Sequence, residues 1–131
     1  MDTTIQTQRI EKIKDGLYDT ENSINDHWKN KDDSDEQITK NREALEYMRV
    51  KARQKVTEEL TGENKKKYTN QEQRETATYE ILRSDPEYIS LQQKIKDLEL
   101  ESKKSERLLS VLKYRFRRLE RYVDLEILLK N

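Results

Sequence analysis

The sequence predicts an all-α protein built from helical hairpins and ending in one long heptad helix. Three observations carry this. Leu91, Ile95, Leu98, Ser102, Ser105, Leu109, Leu112, Phe116, Leu119 and Val123 are separated alternately by four and three residues. That spacing puts all ten side chains on one stripe of one helix. The chain is 41% charged and 31% hydrophobic, too polar for a thick globular core and suited to helices that bury narrow seams. Only two Gly and one Pro interrupt its 131 residues, and no stretch alternates with the period of a strand.

The first element is a sparse amphipathic helix carrying Ile10, Ile13, Leu17, Ile24 and Trp28, with a break expected near Gly16. Asp32, Asp33, Ser34 and Asp35 then read as a second break that caps a helix from Glu36 to about Leu60. Ile38, Leu45, Met48, Ala52 and either Lys55 or Val56 form the inner face of that helix. Thr61-Gly62-Glu63-Asn64 stops it, with Gly62 as C-cap, and Lys65-Lys66-Lys67 follows as a loop. Thr69 and Glu72 have capping-box spacing, so a short helix is expected from Asn70 to Arg83. It would bury Ala77, Leu82 and one of Tyr79 and Ile81. Ser84-Asp85-Pro86-Glu87 restarts the chain with proline at the first helical position, and the heptad helix runs from there to at least Val123.

A narrow seam stabilises a lone helix weakly, so the heptad residues Leu91, Ile95, Leu98, Leu109, Leu112, Phe116, Leu119 and Val123 are expected to hold an oligomer together. Two parts are expected. Residues 1–36 form an acidic, less firmly packed segment; residues 37–131 form the oligomerisation and binding domain. Cysteine is absent and there is no long apolar run, so no disulfide framework, membrane span or signal-peptide core is expected, and the setting is read as cytoplasmic. His27 is the only histidine, Gly16 and Gly62 are isolated, and the Asp32–Glu36 run lacks the spacing of a calcium loop. No catalytic constellation, metal site or cofactor is expected, and the protein is read as a non-enzyme.

The net charge is zero, but it is blocked along the chain. Residues 1–36 hold five Lys/Arg and ten Asp/Glu; residues 37–67 hold nine and five; residues 68–102 hold four and eight; residues 103–131 hold nine and four. Such blocks either pair with one another or present a cationic face to a polyanion. Arg49 and Arg53 stack on one helix face and Lys51 and Lys55 on a neighbouring one. With Lys65, Lys66 and Lys67 they form the candidate nucleic-acid surface. Tyr68 is the candidate base-stacking residue, with Tyr47 open to the same role, while Trp28 and Tyr79 read as core.

The order of landmarks resembles the UvsY-like recombination mediators of the T-even bacteriophages. Trp28, Ile38, Leu45 and Arg49 lead to Lys51-Ala52-Arg53 in a run similar to the central part of that family. Leu82-x-x-Asp85 and Leu112-Lys113-x-Arg115 follow in the family's order, so the likeness spans about residues 20–125. The chain departs from the family in lacking the tyrosine pair after the basic element and in carrying Phe116 where some relatives have glycine. The resemblance implies a ring-forming homo-oligomer in the cytoplasm of a bacterial host. It implies binding of single-stranded DNA and loading of a RecA-like recombinase onto strands covered by single-strand-binding protein. Lys51 and Arg53 would be the key DNA contacts. The other reading of the same heptad and charge blocks is a structural coiled-coil adaptor or chaperone-like protein that binds no nucleic acid.

Overall fold

The two N-terminal helices expected from the sequence are one continuous helix. The computed structural model describes residues 3–60 and 62–130. Three helices follow in order: α1 (Thr3–Glu58), α2 (Gln71–Arg83) and α3 (Pro86–Lys130). Neither Gly16 nor the Asp32–Asp35 cluster interrupts α1. The reason lies in a heptad that the polar residues hide. Gln6, Ile10, Ile13, Leu17, Thr20, Ile24, His27, Lys31, Ser34, Ile38, Asn41, Leu45, Met48 and Ala52 are spaced alternately by four and three, and every one is buried or half-buried. The stripe keeps its register through the acidic cluster, so packing along one face overrides local propensity. Thr20 satisfies its hydroxyl within the helix by donating to the Gly16 carbonyl at 2.7 Å.

The chain packs as two compact units, one made of the α1 residues up to Ser34 with the α3 residues from Glu101, the other of Asp35–Leu100. This partition differs from the expected division at residue 36. The acidic first block is helical and shares a unit with the basic last block.

In the first unit α1 and α3 run antiparallel. Gly16 faces Leu119, where an added Cβ would lie 3.6 Å from Cδ1, and the Lys113 ammonium sits 4.8 Å from the centre of the Trp28 ring. From α3, Ser102, Ser105, Leu109, Leu112, Phe116, Leu119 and Val123 turn inward, Leu109 being only 3% exposed. Trp28 is not core: it is 40% exposed, because His27 holds the stripe position beside it. A second set of apolar residues on α3, Leu108, Val111, Tyr122, Leu125 and Leu129, stays exposed, with Arg115 and Arg118 at the intervening positions of the same stripe.

The second unit is built on Ile38, Leu45, Ala52, Leu82, Tyr88, Ile95 and Leu98, with Met48, Ile81 and Leu91 packed against them. Arg42 reaches Glu99 at 2.6 Å across its surface. The heptad residues assigned to oligomerisation, Leu91, Ile95, Leu98, Leu109, Leu112, Phe116, Leu119 and Val123, are therefore buried or half-buried within the single chain. Within the chain the hidden heptad of α1 faces this stripe, as Gly16 does at Leu119.

The connection between α1 and α2 departs from the expected stop in its details. The helix ends at Glu58, and Leu60 forms an isolated antiparallel bridge with Lys66. The Lys67 amide donates to the Glu59 carbonyl at 3.0 Å and closes the loop. Gly62 does not take a left-handed conformation; Asn64 does, with φ of 60°, a region that asparagine tolerates better than most residues. Thr61 lies outside the described residues. The cap of α2 is Asn70, whose side-chain oxygen accepts from the Gln73 amide at 2.8 Å, while the Gln73 side chain accepts from the Thr69 amide at 3.1 Å. The expected Thr69–Glu72 box is thus replaced by an Asn70 cap on Gln73, whose side chain turns back to Thr69. Pro86 opens α3 as expected, behind Asp85, whose carboxylate accepts from the Glu87 amide at 3.0 Å.

Candidate nucleic-acid interface

All eight candidate binding residues lie in the Asp35–Leu100 unit. The last turns of α1 carry four of them. Because Ala52 and Val56 face the core, residues 49 and 53 emerge on one flank of the helix and residues 51 and 55 on the other.

Arg49, Arg53 and Thr57 of α1 line a cleft of about 750 Å³ with Gln71, Arg74, Glu75, Thr78, Tyr79 and Leu82 of α2 and with Tyr88 and Gln92 of α3. Arg49 Nε donates to the Tyr88 hydroxyl at 3.0 Å, and its guanidinium carbon lies 5.9 Å from the centre of that ring. The hydroxyl bond, together with Glu46, holds the Arg49 guanidinium above the usual arginine range despite some burial. Glu46 also lies 3.6 Å from Arg49 and 3.9 Å from Arg53, so one carboxylate aligns both arginines along the cleft edge. These are solvent-facing pairs, worth little to stability.

Lys51 and Lys55 line a different cleft, of about 410 Å³, with Tyr47, Met48, Asp85, Glu87 and Leu91 among its other walls. The Lys51 ammonium is 4.8 Å from the Tyr47 ring centre, and contact with the Tyr47 hydroxyl raises the lysine above its ordinary value. Tyr47 is 59% exposed. Lys55 also lines a third, larger space with Glu59, Lys67, Tyr68, Glu72 and Glu80. Lys67 pairs with Glu59 at 3.4 Å, which raises it above the usual lysine range, and lies 5.4 Å from the Tyr68 ring centre. Tyr68 is half-buried. Lys65 reaches Glu63 at 3.9 Å on the exposed loop, and Lys66 is exposed beside it.

The structure therefore joins Arg49 with Arg53, and Lys51 with Lys55, but puts the two pairs on separate clefts. Lys67 and Tyr68 join the lysine side; Lys65 and Lys66 line none of the three spaces. Arg74 and Tyr88 were missed in the sequence, and Tyr79 was misplaced as core although it is 64% exposed. The missing signal was the phase of α2. Its buried residues are Thr78 and Leu82, and Arg74 stands four residues before Thr78 on the same face. A hydrophobic reading passes over a face whose centre is threonine.

Among the described residues no group of three or more His, Cys, Asp or Glu could hold a metal ion, and no helix is long and apolar enough to cross a membrane. No protein-family model matches the chain, and neither a curated protein nor a solved structure matches it.

Proposed function

We propose that this protein binds single-stranded nucleic acid and acts as a non-enzymatic recombination mediator. In that role it would help a RecA-like recombinase onto DNA covered by single-strand-binding protein. The observation that carries the binding is the pairing of cations with accessible aromatic rings in one unit: Lys51 with Tyr47 and Lys67 with Tyr68. Single strands are held by cations that track the backbone and by rings on which unpaired bases stack. The mediator role rests on the resemblance in the order of landmarks around Lys51-Ala52-Arg53. Self-association is part of this reading, because repeated weak sites on one assembly bind a strand far more tightly than one copy does. Ile95, Leu98 and Leu109 of the α3 heptad are buried within the chain, so self-association would use the half-buried and exposed positions of the helices.

The test is the double substitution Lys51→Ala with Arg53→Ala. Both side chains are exposed, so the helices should be retained by circular dichroism. Affinity for an oligo-dT strand should fall, and the slope of log affinity against log salt should drop by about 1.4 for two lost phosphate contacts. Unchanged affinity would remove this site from the account.

A coiled-coil adaptor without nucleic-acid binding is the second reading. The exposed Leu108, Val111, Tyr122, Leu125 and Leu129 on α3 favour it, since apolar residues recurring at helical spacing are what a partner helix would cover.

A further inference from the structure

We infer that the cleft between α1 and α2 is a nucleotide-binding site, in which Arg74 joins Arg49 and Arg53 on a phosphate while Tyr79 stacks on the neighbouring base. This deepens the single-strand reading and rests on it. Three observations point there. The cleft holds three guanidiniums against the carboxylate of Glu75, which accepts from Gln71 Nε2 at 3.1 Å. Like charges gathered on one concavity repel one another unless an anion sits among them. Arg49 and Arg53 have Glu46 as counter-charge, whereas the half-buried Arg74 side chain makes no ion pair among the described residues. Finally, the Tyr47 and Tyr68 rings each carry a lysine and Tyr88 is 7% exposed, but the Tyr79 ring is 64% exposed and uncovered.

An unpaired guanidinium and an uncovered ring, both on α2 and both on one cleft, are complementary to a phosphate next to a base. The volume, about 750 Å³, lies within the range of small-ligand sites, about 300–1,000 Å³. Guanidiniums grip phosphate oxygens through two parallel N–H donors, which lysine cannot copy, so arginine at 74 is part of the recognition. A strand bound here would cross from α1 to α2 on the arginine flank and leave the lysine flank of Lys51 and Lys55 to separate contacts.

The experiment titrates the full chain with a thymidine pentamer and follows the arginine Nε–H and tyrosine ring resonances by NMR. Arg74→Ala, Arg74→Lys and Tyr79→Ala are measured beside it, with circular dichroism as the control for folding. The expected result is that Arg74 and Tyr79 shift first. Arg74→Ala then lowers the salt slope by about 0.7, and Arg74→Lys keeps the slope but not the full affinity. Tyr79→Ala weakens binding about fivefold or more and leaves the slope unchanged. Shifts confined to the Lys51, Lys55 and Lys67 side, with Arg74→Ala and Tyr79→Ala binding normally, would overturn the cleft while the single-strand reading stood. No shift anywhere at low salt would overturn both.

Discussion

Gly16 illustrates how a single residue reads differently alone and in place. Glycine in a helix interior costs about 1 kcal/mol relative to alanine, which is why a break was expected there. The seam holds α1 straight through it, and an added methyl would meet Leu119 at 3.6 Å, an ordinary contact distance. Gly16→Ala should therefore raise stability by about 0.5–1 kcal/mol, seen as a higher midpoint in thermal unfolding. A loss of stability would mean that Leu119 cannot accept the methyl group. The lysines of the proposed binding surface make a pH prediction. Glu59 raises Lys67 and the Tyr47 hydroxyl raises Lys51. Groups with raised folded pKa stabilise fully below the unfolded lysine value, about 10.4, and lose that contribution as pH rises through their folded values. Strand binding carried by them should be flat between about pH 6 and 9 and fall only in stronger alkali; a midpoint near neutrality would assign the binding to another group.

At the scale of elements, the sequence revealed α2 to within a residue and the start of α3, set only a lower bound, Val123, for the end of α3, and misread α1. α3 shows its seam as leucines, and its start is marked by Asp85 and Pro86. In α1 the same periodicity is written with Thr20, His27, Lys31, Ser34 and Asn41 at seam positions, so a search for apolar residues finds two short helices and a gap. The polar members are tolerated because the seam is narrow and hydroxyls such as Thr20 bond back to their own helix. The candidate site was half legible for a related reason. Basic residues on α1 were visible as a run, but Arg74 and Tyr79 take their place from the tertiary packing of α2, whose buried face is marked by Thr78. Two α3 substitutions separate the covered seam from the exposed stripe. Leu109→Ala should cost about 2–5 kcal/mol, because Leu109 is 3% exposed, whereas Val111→Ala, at 65% exposed, should change stability by about 0.5 kcal/mol or less in denaturant titration. Equal costs would show that a partner covers both stripes in solution.

For the whole molecule, a net charge of zero conceals a division of labour between two units. In the unit formed by the α1 residues up to Ser34 and the α3 residues from Glu101, an acidic block of α1 and a basic block of α3 share one seam. The other unit concentrates cations beside aromatic rings on the flanks of α1. The measurement that tests this account most directly is fluorescence anisotropy of a labelled poly-dT strand against the purified protein across a salt series. The account predicts tight binding at low salt that weakens steeply as salt rises, and weaker binding to duplex, whose bases cannot reach the rings. An absence of binding at low salt by the folded protein would contradict it, and would turn attention to a protein partner for the exposed stripe of α3.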